Sequence, residues 1–268
     1  MAANVAAIAS AARAADLIVT PELSLTGYDV RDAVHDLAIA IEPGAAPPLQ
    51  LEPLAGESTP EVIVGLVEAG GDGIPYNTAI LLGGGRIRHF HRKIYPPTYG
   101  LFDEGRFFGR GQMLDTFELA GGWRAALLVC EDLWHPALTY LAAMSGADLL
   151  IVAAAAPGRG VVEGGPDGSA FASSLAWNEL VSVTARTYGV YVALSNRVGS
   201  EDGVTFAGGS RIVGPDGAVL VSAADTGEHR LELVLEPAEL ARARQPYAHL
   251  RDDDPRFLAR ALGRLVAL

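Results

Sequence analysis

The stretch "WRAALLVCEDLWHPALTYLAAMSGADLLIVAAAAP", residues 123–157, decides the fold class. "WRAALLVC" and "DLLIVAAAAP" are short apolar runs of the kind that form buried strands, and "HPALTYLAAMSGA" between them has the length and periodicity of a helix. A strand, a helix and a strand in succession form the unit of an α/β protein. The pattern continues on both sides. "SSLAWNELVSVTARTYG" (173–189) reads as a helix, "VYVALSNRVG" (190–199) as a strand and "EVIVGLVEA" (61–69) as another. The opening "MAANVAAIASAARAADLIVTPE" is an alanine-rich helix with Val5, Ile8, Ala12 and Ala15 at helical spacing, running into a strand at Leu17–Thr20. Two hairpins interrupt the alternation: "YNTAILLGGGRIRHFHRK" (76–93), turned at Gly83–Gly85, and "GGSRIVGPDGAVLVSA" (208–223), turned at Pro-Asp-Gly. Strands, helices and hairpins in this order predict mixed sheets covered by helices around one continuous core. No linker divides residues 1–268. The tail at 242–268 has a charged, loop-like start and an amphipathic helical end, and is expected to pack against a neighbour or a second chain.

Half of the 268 residues are hydrophobic, enough for a sizeable core and against disorder. Twenty Lys and Arg against 32 Asp and Glu give a net charge of −12, which leaves no broad basic face for nucleic acid or an anionic membrane. The longest apolar stretch, Ala147–Pro157, is interrupted by Asp148 and falls short of the roughly 20 residues of a membrane span. A single cysteine excludes an internal disulfide, and the N-terminus lacks the basic and apolar segments of a signal peptide. The expectation is a cytoplasmic protein whose partners are small molecules or other proteins.

Ligands of α/β proteins gather where strands end and loops begin. Three chemically useful residues follow strand-like runs: Glu22 after "LIVTP", Lys93 after the strand "RIRHFHR" and Cys130 after "LLV". Each has an ordinary explanation alone: a solvated loop acid, a surface cation and a small buried hydrophobe. Together they form a complete set. Sulfur attack on a carbonyl needs a base to make the thiolate, a donor for the oxyanion and an acid for the leaving amine, which Glu and Lys can supply.

"PELSLTGY" (21–28), "HRKIYPPTYGLFDEGRFFGRG" (91–111) and "LVCEDLWHP" (128–136) resemble the three signature segments of the nitrilase, or carbon-nitrogen hydrolase, superfamily. The likeness is strongest to the glutaminase part of glutamine-dependent NAD synthetases, and "YNTAILLGGG" and "SNRVGSEDGVTFAGGSRIVGPDG" extend it from about Ala2 to about Gly217. The resemblance implies an αββα sandwich, here lacking the family's usual first strand, and a Glu-Lys-Cys triad. It assigns Glu22 as general base, Lys93 as transition-state stabiliser and Cys130 as nucleophile, with Glu104 as a second carboxylate. The backbone amide of Glu131 completes the oxyanion hole, and Tyr99 and Trp134 line the amide pocket. The implied reaction is hydrolysis of a small linear carboxamide, glutamine among the candidates, through a thioester, with no metal or organic cofactor.

The chain contains no "SGGxDS" pyrophosphate loop. It is therefore expected to be a free-standing amidase or a glutaminase subunit feeding ammonia to a separate synthetase, assembled as a homodimer or higher oligomer. A non-catalytic nitrilase-like scaffold is the alternative. A zinc site on His89 and His91 lacks a third ligand of clear spacing, and Cys130 with His135 lie too close in sequence to be a protease pair. "GGDG" at 70–73 and "GGG" at 83–85 read as turns, and "RDDDP" at 251–255 as a solvated acidic turn.

Overall fold

The structure, a computed structural model, describes residues 1–11, 15–56, 60–163, 169–223, 227–247 and 249–267. In chain order it runs through helix α1 (Ala2–Ala11), strand β1 (Leu17–Val19), the single turn α2 (Val34–Leu37), and strands β2 (Glu61–Ala69), β3 (Pro75–Gly83) and β4 (Arg86–Arg92). There follow the turn α3 (Glu104–Phe107), strands β5 (Thr116–Glu118) and β6 (Arg124–Val129), helix α4 (Pro136–Met144) and strand β7 (Leu149–Ala154). A small hairpin, β8 (Val161–Glu163) and β9 (Ser169–Phe171), precedes helix α5 (Ala172–Tyr188) and strand β10 (Tyr191–Asn196). A second small hairpin, β11 (Ser200–Glu201) and β12 (Val204–Thr205), leads to β13 (Arg211–Val213) and β14 (Val219–Ser222), followed by helices α6 (Pro237–Arg244) and α7 (Pro255–Val266).

Two sheets carry the architecture. The first has the order β1-β2-β3-β4, with β1 parallel to β2 and the rest antiparallel. The second has the order β14-β13-β10-β7-β6-β5, with a parallel centre of β6, β7 and β10 and antiparallel strands outside it. Because side chains alternate across a strand, β2 and β3 can be apolar on both faces. Ile63, Ala79 and Leu81 pack in one cluster with Leu127, Leu128 and Ile151 of the second sheet. Val62, Val64, Leu66, Ile80 and Leu82 turn the other way, onto Val5 of α1 and Leu51 and Leu54 of a 3-10 turn. Leu138 and Ala142 of α4 and Trp177, Val181 and Ala185 of α5 join the second sheet's cluster. The layers are helix, sheet, sheet, helix. Each fully buried aliphatic contributes about 1.5–3 kcal/mol of transfer free energy, which makes this double core the main stabilising element.

Several details differ from the sequence reading. The first helix ends at Ala11; Ala12 lies outside the described residues and Ala15 stands beyond the helix. Among the described residues β1 is the edge of its sheet, and its three residues are half-buried. Residues 242–244 belong to α6 rather than to a loop. Arg244 donates to Asp148 Oδ1 at 2.9 Å and to the carbonyl of Gly189 at 2.8 Å, while Leu240 is buried, so this helix is tied to the body of the protein. Helix α7 is capped by Asp254, whose carboxylate accepts from the amides of Arg256 and Phe257, and it exposes Phe257, Leu262 and Leu265. The glycine-rich stretch 159–172 contains the β8–β9 hairpin, whose residues 164–168 lie outside the described residues. Among the described residues no helix is long and apolar enough to cross a membrane.

Candidate active site

Glu22, Lys93 and Cys130 each follow the end of a strand, and the sandwich brings those ends together. Glu22 stands three residues past β1 on a turn in which Leu23 takes a left-handed φ of 48°. The turn is pressed against β2: the Leu25 amide donates to the Gly65 carbonyl, and the Gly65 amide donates to Ser24 Oγ. A side chain at Gly65 would put its Cβ 2.3 Å from the Leu23 nitrogen, so only glycine lets the turn lie this close. Lys93 leaves β4 with its amide on the Asn77 carbonyl and its carbonyl on the Gly111 amide. Cys130 follows β6 where the strand becomes a 3-10 turn, Cys130–Trp134, and its own φ is 45°. A left-handed conformation at a non-glycine costs on the order of 1 kcal/mol or more and is held by its surroundings. Here it turns the thiol out of the strand direction.

The side chains form a ring-like cluster, open between the two carboxylates that Lys93 bridges. Lys93 Nζ donates to Glu22 Oε1 at 2.8 Å and to Glu104 Oε1 at 2.8 Å, and all three residues are at most 6% exposed. Asn77 Nδ2 also donates to Glu22 Oε1 at 2.7 Å, and the amide of Ala155, just past β7, donates to Glu22 Oε2 at 2.9 Å. The Tyr28 hydroxyl donates to Glu104 Oε1. Glu22 is thereby fixed by donors from three different segments.

Burial and charge set the protonation of this cluster. Burial alone would strip the proton from Lys93, but Glu104 and Glu22 outweigh it and hold the ammonium well above the ordinary lysine range. Burial, with Glu22 adding to it, pushes Glu104 up to about 7 against the pull of Lys93. Burial and Glu104 raise the Tyr28 hydroxyl, which stays a donor. The Cys130 thiol is raised well above its usual range by burial and by Glu22, opposed by Lys93 and the Ala155 amide. All four groups act on one another within one buried volume.

More exposed side chains begin at Tyr99, which lies near enough to the thiol to feel its charge. Tyr99, 54% exposed, donates its hydroxyl to Glu131 Oε2 at 2.8 Å. Trp134 stands edge-on to Trp177 at 5.4 Å. Arg159 lies over the Phe102 ring at 4.7 Å, and among the described residues its Nε and Nη2 are buried without a hydrogen-bond partner. His135 stacks on Tyr95 at 3.4 Å, His91 Nε2 faces Asp132 at 2.9 Å, and His89 stacks on Phe117 at 4.2 Å. The sequence reading missed Tyr28, Asn77, Asp132, Arg159 and the Ala155 amide. Asn77 had a visible signal, a polar side chain within a strand otherwise built for burial. Tyr28 and Asp132 sit inside the motifs already quoted.

The family model for carbon-nitrogen hydrolase matches residues 1–245. The chain belongs to that family. It is 30% identical over 216 residues to a glutamine-dependent NAD(+) synthetase of Thermotoga maritima, covering 78% of this chain and 34% of that protein. The chain spans about a third of the length of the relatives it matches in this way. Among solved structures, a carbon-nitrogen hydrolase of Helicobacter pylori superposes with a TM-score of 0.75 at 24% identity, covering 92% of this chain and 86% of that one. A mutant of an amidase of the nitrilase superfamily from Nesterenkonia superposes with a TM-score of 0.72 at 23% identity, covering 96% of this chain and 90% of that one. The fold of this carbon-nitrogen hydrolase is thus the nitrilase sandwich. Its buried thiol, ammonium and paired carboxylates can chemically serve as nucleophile, oxyanion partner and base.

Proposed function

We propose that the protein hydrolyses the side-chain amide of glutamine, or of a close ω-amide of an amino acid, through a thioester on Cys130, releasing ammonia. The observation that carries the reading is the buried Glu22–Lys93–Glu104 cluster beside a cysteine held on a left-handed turn. As Cys130 attacks the carbonyl carbon, its proton passes to Glu22. An ammonium has three donors; Glu22 and Glu104 take one each, and the third points its charge at the developing oxyanion. The Glu131 amide, in the first turn of the 3-10 segment and without an intrahelical acceptor, is the second donor. Collapse breaks the carbon-nitrogen bond as Glu22 returns the proton to the leaving nitrogen. Water, deprotonated by Glu22, then attacks the thioester, and the thiolate departs and recovers that proton.

Glu131 and Arg159 support an amino-acid substrate. The Glu131 carboxylate lies beside the nucleophile and suits an α-ammonium. Arg159 offers two buried nitrogens, Nε and Nη2, without a hydrogen-bond partner among the described residues, and suits an α-carboxylate, for which a bidentate guanidinium is the fitting partner. Tyr99 and Trp134 then wall the methylene chain. The names of the relatives favour glutamine as well, and the ammonia would pass to a synthetase.

The test is ammonia release from glutamine, asparagine, short aliphatic amides and N-carbamoyl amino acids. Glutamine should be the best substrate, and Cys130→Ala should be silent. Arg159→Met should raise KM for glutamine roughly 10- to 100-fold, the value of a hydrogen bond to a charged group, and leave propionamide unaffected. A folded protein that releases no ammonia from any of them would shift the reading to a non-catalytic scaffold.

A further inference from the structure

Asp132 is fully buried, and its carboxylate accepts four hydrogen bonds. Oδ1 takes the amides of Ile94 and Tyr95, each at 3.0 Å. Oδ2 takes the Val129 amide at 3.1 Å and His91 Nε2 at 2.9 Å. A carboxylate has about four lone-pair sites, so every one is in use. The donors come from both sheets: His91 from the end of β4, residues 94 and 95 from the loop after it, and Val129 from the end of β6. Their places in sequence matter. His91 and Ile94 flank Lys93, and Val129 and Asp132 flank Cys130.

We propose that Asp132 is a positioning residue that clamps the segment bearing Lys93 to the segment bearing Cys130, and so sets the separation of stabilising cation and nucleophile. The proposal rests on the reading of those two residues given above. Elsewhere the two segments meet through apolar packing between sheets, the Tyr95–His135 stack and the Tyr99–Glu131 bond at an exposed tyrosine, which tolerate small slides better than four directed bonds to one buried carboxylate. An error of about 1 Å between reacting groups can cost roughly 100-fold in rate. His91 supplies the proton on Nε2, since a carboxylate accepts only from a donor, and this fixes the ring's tautomer. The sequence reading considered this histidine only as a zinc ligand.

Asp132→Asn tests the clamp, because an amide can accept from one pair of these donors but turns its own N–H groups toward the other. Three readouts are compared with wild type: steady-state kcat and KM for glutamine, the pH profile of Cys130 alkylation by iodoacetamide, and the melting curve. The expected result is kcat down 10- to 100-fold with KM within about threefold, and an alkylation profile displaced to higher pH because Lys93 no longer sits as close to the thiolate. His91→Leu should show the same pattern more weakly, and His91→Gln, which restores a donor, should recover most of the rate. A folded Asp132→Asn variant with wild-type kcat and wild-type alkylation profile overturns the proposal. So does a loss of rate that only follows the unfolded fraction. If Asp132→Asn does not fold, a folded His91→Leu variant indistinguishable from wild type in both readouts overturns it equally. The alkylation arm needs no substrate, so a wild type inactive on glutamine would remove the proposed function while leaving the clamp to be judged separately.

Discussion

Lys93 keeps a full charge at 1% exposure because two carboxylates face it, and the same burial makes Glu104 the site's pH-sensitive member. Glu104 is pushed up to about 7 from an ordinary 4.5. Between those values the folded chain binds a proton that the unfolded chain has released, so stability falls as pH rises through the window. The slope cannot exceed about 1.4 kcal/mol per pH unit for one group. Melting temperature should therefore drop from pH 5 to pH 7 more in wild type than in Glu104→Gln; equal drops would mean that Glu104 does not titrate there. Glu22→Gln should lower kcat at least about 100-fold, the scale of a positioned general base, and should lower the melting temperature as well, because Lys93 loses a buried counter-charge. Glu22, Lys93 and Cys130 were legible in the sequence because each follows a strand inside a recognisable segment. Asn77 showed only as a polar residue in a buried strand, and the Ala155 amide not at all, because no local pattern encodes which strand ends come to lie beside Glu22.

At the scale of elements, strand ends present the chemistry and close backbone approaches aim it. Gly65 admits the Glu22 turn onto β2, and its substitution by alanine forces a contact at 2.3 Å with the Leu23 nitrogen. Gly65→Ala should destabilise by roughly 1–3 kcal/mol, as overpacked sites do, and should lower kcat at least tenfold because the displaced turn carries the base. Gly71→Ala, in the β2–β3 turn with open space around it, is the control and should change neither. Denaturant unfolding and steady-state kinetics of the pair check both. The strands and helices themselves were readable from apolar runs and helical periodicity. The hairpins β8–β9 and β11–β12 were not, since strands of two or three residues carry too short an alternation to distinguish them from loop. The helical start of the tail was likewise hidden: "RARQ" looks solvated until Arg244 is seen bonded to Asp148 and Gly189.

The whole molecule combines a −12 charge with a terminal helix that carries Arg256, Arg260 and Arg264 along one side. Phe257, Leu262 and Leu265 of α7 are 58%, 50% and 68% exposed. A helix of this length gains stability mainly by burying an apolar face, which is the ground for the expectation that a neighbour or a second chain packs against it. Light scattering should then give a dimer or larger for wild type and a smaller species for Leu262→Glu; identical masses would assign the helix no part in assembly. At this scale the layered order of helices and sheets followed from the alternation of elements and the family likeness, whereas assembly left no pattern beyond an amphipathic tail. The central claim is the covalent one, and it is tested most directly by acid-quenching the enzyme during turnover of glutamine and weighing the intact chain and its peptides. The expected result is a glutamyl adduct on the peptide containing Cys130, present in wild type and absent in Cys130→Ala. Turnover of glutamine without any such adduct, or turnover that survives in Cys130→Ala, would contradict it.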